Sequence, residues 1–196
     1  GVERHVRDLV DGMAARGIDG SIAAWLPAHA TQPDAFTRLP LYDATGARRS
    51  PGGMLRAVEI VHDLVDHTRM DLLHIHSRLL LPVAAMVARR TGVPRVLPLH
   101  NPFPSLSWLP WQPPHVIALS EVSRDMYLTR RGDAADHAVH VVHNGVPLPN
   151  DDVPRTATAS IDRIAFIGRF TDTKGGEVLL DAVALLHTRG MPLQLV

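Results

Sequence analysis

The stretch "DLLHIHSRLLLPVAAMVARRTGVPRVLPLH", residues 71–100, carries the periodicity on which the fold turns. Its two ends, "DLLHIHS" and "PRVLPLH", are short apolar runs of strand length, and the middle, "LLLPVAAMVARRTG", reads as a helix that stops at a glycine. Pro82 falls early in that helix, where a missing N–H costs little. A strand, a helix of this length and a second strand make a crossover, which is right-handed and leaves the two strands parallel. The same alternation continues on both sides. Upstream, "GVERHVRDLVDGMAARG" places Val2, Val6, Leu9 and Met13 at helical spacing before Gly17, "SIAAWL" is a short buried strand, and "MLRAVEIVHDLVDH" is a second helix. Residues 27–53, rich in Pro, Ala, Gly and Arg, read as a long irregular connection. Downstream, "HVIALS" is a strand, "EVSRDMYLTRRG" a helix and "HAVHVVHNG" a strand closed by a turn dipeptide.

The expected class is therefore α/β, a doubly wound parallel sheet of Rossmann-like type. "PLPNDDVPRTATAS", residues 147–160, has little that could enter a core and reads as a linker. Beyond it "RIAFIG", a helix from about Gly175 and "MPLQLV" begin a second β-α-β unit. The expected domains are 1–149, a linker over 150–160, and 161–196 as the start of a second Rossmann-like domain. The first visible element is a helix and the last residues lie in a strand, so the expectation is a fragment lacking its first strand and most of the second domain.

Composition narrows the function. An apolar share of 45% with 20% charged residues is that of a chain able to bury a core. A formal net charge of zero argues against a nucleic-acid partner and against a polybasic membrane patch. With no cysteine there is no disulfide, thiolate metal site or Cys nucleophile, which fits a reducing compartment, and the expected location is the cytoplasm. No apolar run reaches membrane-spanning length.

One cation stands apart. The chain holds nineteen arginines and a single lysine, Lys174, inside "IAFIGRFTDTKGGEVLLDAV". Ligands of open α/β sheets bind beyond the carboxyl ends of the strands. "RIAFIG" ends at Gly168, so Arg169 lies on that edge, and Lys174 enters at the amino end of the next helix, where free N–H groups and the positive pole of the dipole lie. Gly175 and Gly176 leave room for an anion at the backbone. A phosphate or diphosphate is the natural guest of this set; the plainer alternative is two solvated surface cations.

"GRFTDTKGGEVLLDAVALL" resembles the signature of retaining GT-B glycosyltransferases, in particular the large family 4 of sugar-nucleotide-dependent enzymes. "GVERHVRDLVDGMAARG", "DLLHIHS", "VIALSEVSRD" and "HVVHNGVPLP" are similar to that family's first helix, middle strand, later strand and helix, and the strand before its linker. The resemblance implies a nucleotide-diphosphate sugar as donor, transfer to an acceptor hydroxyl with retention, and no cofactor. It assigns Arg169 and Lys174 to the departing diphosphate, in place of the divalent cation other transferases use. It makes Gly1 part of a glycine-rich loop near the donor phosphate or acceptor, and gives His100 a hydrogen bond to the transferred sugar or the acceptor hydroxyl. After His100 the family's small hydroxyl residue is replaced by Asn101 and Pro102, which leaves acceptor contacts open.

His74 and His76 form an H-x-H on a strand, with both rings on one face. That spacing also suits a metal, but such sites need further His or Asp ligands from later strands that the sequence does not single out, so no metal is expected. His76 is expected to face the cleft and His74 to pack in the core. Ser120 is expected to cap the following helix. Phe103, Trp108 and Trp111 lie in a proline-rich loop that reads as a surface loop or as an acceptor platform, so the acceptor is a sugar, a lipid or a small molecule, and peripheral contact with the inner membrane face stays open. Oligomeric state is not legible. Two other functions remain: a nucleotide-sugar-binding module or degenerate homologue without transfer, and a GT-B-like nucleotide-sugar epimerase.

Overall fold

The structure, a computed structural model, describes residues 2–26, 36–43, 46, 50–100, 111–131, 139–146, 163–191 and 193–196. Gly1, Asn101, Pro102, Phe103, Trp108 and the predicted linker lie outside the described residues. The chain divides into two compact units, Gly1–Val146 and Pro147–Val196.

In the first unit α1 (Val2–Ala14) is followed by β1 (Ile22–Ala24), β2 (Phe36–Arg38), α2 (Pro51–Thr68), β3 (Leu73–His74), α3 (Leu81–Thr91), β4 (Arg95–Leu99), β5 (His115–Ala118), α4 (Glu121–Arg131) and β6 (Val139–Val141). Strands β3, β4, β5 and β6 form one sheet in that order, parallel at every pairing, with β1 and β2 a separate parallel pair. The expected α/β architecture with parallel strands and crossover helices is the one observed.

The region expected to be irregular, 27–53, corrects the sequence reading at two points. Phe36–Arg38 is a strand whose partner is β1, with Ile22 opposite Phe36. Three residues carry no periodicity of their own; the pairing makes the strand. Helix α2 also starts earlier than its apolar spacing indicates. Ser50 accepts a hydrogen bond from the Gly53 N–H at 3.0 Å and Pro51 occupies the first turn, the arrangement that satisfies or removes N–H groups left over at a helix start. Gly53 is there because of a close approach: a Cβ on it would lie 1.8 Å from the Pro40 carbonyl oxygen.

Pro82 sits in the first turn of α3, as expected. Pro98 is less usual, since it lies within a strand that has neighbours on both sides. The Ile75 N–H bonds to the Val96 carbonyl and the Leu73 N–H to the Pro94 carbonyl. Residues 94, 96 and 98 thus face β3, two apart along the strand. The β3 ladder ends at His74 opposite Val96, at the step where an N–H at residue 98 would have met the Ile75 carbonyl.

Two cores hold this unit. One joins Leu39, Leu41, Ala57, Val58, Val61, Val65, Val83 and Val87, seating α2 on α3. The other joins Ile75, Leu81, Leu97, Leu99, Val116, Ala118 and Tyr127 beneath the sheet's helices. From Val96 to Leu99 every residue of β4 is buried, as befits an interior strand of a parallel sheet. Ser120 caps α4 as expected, accepting from the Ser123 N–H at 3.1 Å.

The second unit holds β7 (Arg163–Ile164), α5 (Gly176–Thr188) and β8 (Gln194–Leu195), with β7 and β8 parallel and Arg163 opposite Gln194. Among its described residues only Gly176 is buried. No helix among the described residues of the chain is long and apolar enough to cross a membrane.

Candidate functional site

Three elements of the first unit bring histidines together at the carboxyl ends of β3 and β4. His76 lies two residues past the end of β3 and His100 immediately follows β4. The His76 Nδ1 and His100 Nε2 are 2.9 Å apart, a hydrogen bond in which one nitrogen donates and the other accepts. Their rings stack with centroids 5.2 Å apart. His5, on α1, meets both edge-on, at 5.7 Å from His76 and 5.2 Å from His100. One ring nitrogen from each of the three lies within 4.8 Å of the others. All three residues are half-buried.

His74 belongs to the same group. Its ring lies 4.4 Å from that of His76, so the H-x-H rings do share a face. Its Nε2 is buried with no hydrogen-bond partner among the described residues, an uncommon condition for a polar atom. Burial, followed by the imidazoles of His74, His100 and His5, pushes the His76 ring down to about 3. Burial, followed by His5 and His100, lowers His74; burial, followed by His5, lowers His100. The common cause is that an imidazolium here would be taken from water and set against others of its kind. The shifted rings are neutral at pH 7, each presenting one donor and one acceptor nitrogen.

His5 is the residue the sequence reading passed over. The signal was present: Val2, His5, Val6, Leu9 and Met13 follow the spacing of a single helix face, so His5 belongs to the inward stripe of α1. What periodicity could not say is which strand ends that stripe would meet.

The second unit holds the two cations. Strand β7 ends at Ile164 and not at Gly168 as expected, so Arg169 lies five residues past it, and Lys174 ends a short 3-10 turn, Asp172–Lys174, that leads into α5. Both are exposed, and neither makes an ion pair among the described residues. The N-cap of helix α5 is Gly175, which has no side chain to accept from the first-turn N–H groups. The adjoining glycines differ in role. Gly175 is left-handed, with φ of 69°, and open space where a Cβ would sit. At Gly176 a Cβ would lie 2.7 Å from the Phe170 ring, so the space expected there for an anion is filled by an aromatic side chain. Open backbone is confined to Gly175. Gly1 lies outside the described residues, and of the loop's aromatic residues only Trp111 is described: it is exposed, and its carbonyl accepts from Arg95 at 3.0 Å.

A family model described as Glycosyltransferase Family 4 matches residues 1–149. Among solved structures, a glycosyltransferase from Rickettsia africae ESF-5 aligns with a TM-score of 0.67 at 17% identity, over 95% of this chain and 54% of that one. The chain thus spans about half the length of that structure, and the likeness is one of fold. A UDP-N-acetylglucosamine 2-epimerase from Rickettsia bellii aligns at a TM-score of 0.40 and 13% identity, over 59% of this chain and 32% of that one, and carries no argument at that score. No curated protein matches the chain.

Proposed function

Because the chain belongs to glycosyltransferase family 4, we propose that it is part of a two-domain GT-B enzyme that transfers a sugar from a nucleotide-diphosphate donor to an acceptor hydroxyl with retention of configuration. The observation that carries this reading is the family match across 1–149, a span that contains the whole histidine cluster. In the reaction the bond between the sugar's anomeric carbon and the diphosphate oxygen breaks, and a bond from that carbon to the acceptor oxygen forms. The hydroxyl proton passes to the departing phosphate, so no protein base is assigned. Negative charge grows on the diphosphate as the bond opens. Arg169 and Lys174 are proposed to meet it: a planar guanidinium can span two oxygens while a compact ammonium sits at one. Preorganised cations of this kind take the place of a divalent ion on the diphosphate. His76 and His100, neutral and already hydrogen-bonded to each other, are proposed to bind hydroxyls of the transferred sugar or the acceptor, and Gly1 to belong to the loop beside them. The proposed setting is the cytoplasm, with donor and acceptor as the partners.

The test is Lys174→Ala in the full-length protein. Loss of one preorganised donor to a developing oxyanion lowers turnover by roughly 100- to 1000-fold, and at an exposed position the fold should be untouched. Unchanged turnover in that variant would remove the diphosphate assignment. Release of sugar nucleotide product without any acceptor alcohol would favour epimerisation instead.

A further inference from the structure

We propose that His5, His76 and His100 form a binding site for a divalent transition-metal ion of the zinc class. The proposal concerns the first unit alone and does not depend on the diphosphate reading; a metal here would take the His76 and His100 nitrogens proposed above for hydroxyls, and a hydroxyl would then meet the ion's open position instead.

The geometry is the first argument. Zinc binds imidazole nitrogens at about 2.0–2.1 Å, which sets neighbouring nitrogens about 3.3 Å apart in a tetrahedron. His76 Nδ1 and His100 Nε2 already lie 2.9 Å apart, and one ring nitrogen from each of His5, His76 and His100 lies within 4.8 Å of the others. Bringing the third ring to ligand distance takes a side-chain rotation on the order of 1 Å, within the freedom of a half-buried residue near the start of a helix.

The donor set is the second argument. It contains three imidazoles and no carboxylate or thiolate. Imidazole suits zinc, cobalt, nickel and copper, while magnesium and calcium require oxygen ligands. In the His76–His100 pair one nitrogen holds the shared proton; on binding, that proton moves to the other nitrogen of the same ring. Three protein ligands leave a fourth position for water or a hydroxyl-bearing molecule, the pattern of an open zinc site.

The metal-free full chain, treated with a chelator and dialysed, is titrated at pH 7.5 with Zn²⁺ by calorimetry and with Co²⁺ by visible absorption. The expected result is one equivalent bound and a Co²⁺ d–d spectrum of four-coordinate intensity. His5→Ala, His76→Ala and His100→Ala should each weaken binding at least tenfold, whereas the control pair His115→Ala/His140→Ala, which removes the other stacked histidines, should leave it unchanged. Circular dichroism accompanies every variant, and if those at 76 or 100 do not fold, His5→Ala on the helix face decides. Absence of one-equivalent binding in the folded chain, binding of undiminished strength in folded His5→Ala, or equal loss in the control pair would each overturn the site.

Discussion

His76 illustrates how little a single residue's own chemistry decides. Its ordinary acidity lies near 6.5, yet burial and three neighbouring imidazoles bring it to about 3. The consequence for stability has a definite sign. In the unfolded chain the ring binds a proton as the pH falls through about 6.5; in the folded chain it does not until about 3. Between those values the unfolded state holds more protons, so stability falls as the pH is lowered and the loss is complete only below about 3. His74 and His100 are lowered as well and contribute with the same sign. Solvent reaches part of each ring, so the dependence will be weaker than the ideal one proton per ring. In metal-free protein the urea midpoint should drop steadily between pH 7 and 5, where carboxylates contribute little, and the drop should be shallower in His76→Asn. A midpoint independent of pH over that range would show that the cluster is not held neutral. His100 could be picked out in the sequence as the residue at a strand end, and His76 from the H-x-H spacing. Their contact could not, because it depends on two strands whose order in the sheet is set elsewhere.

The elements divide according to where their stabilisation comes from. Helices α1, α3 and α4 could be read because apolar spacing is a local property, and the Ser120 cap could be read for the same reason. Strand β2 could not, since Phe36–Arg38 exists through its pairing with β1. The start of α2 lies between these cases: Ser50 and Pro51 are a legible helix start, but they stand inside a proline- and glycine-rich run that resembles loop. Gly53 ties that start to the segment before it. Any side chain there meets the Pro40 carbonyl at 1.8 Å, and a backbone oxygen cannot swing aside as a flexible side chain can. Gly53→Ala should therefore lower stability by about 1–3 kcal/mol, the range for an overpacked site, whereas Gly52→Ala, with open space around its position, should cost little. Equal urea midpoints for the two variants would mean that the first turn of α2 does not approach Pro40 as described.

Across the two units the distribution of burial is unequal. The first has two apolar cores, while the second buries only Gly176 among its described residues and exposes Ile167, Phe170, Val178 and Leu185. Protection against local opening follows buried contacts. Amides of α5 should accordingly exchange with deuterium well before those of α3; equal protection in the two helices would show that the second unit is stabilised by more than its described contacts. The residue order was sufficient for the alternation of strand and helix and the parallel arrangement, because periodicity and chain connectivity are written along the chain. The meeting of His5, His76 and His100 was left to the folded state. It requires the register of β3 against β4 and the seating of α1 near both strand ends, and burial of residues far apart in the chain, such as Ile75, Leu97 and Val116, is what holds those strands in place.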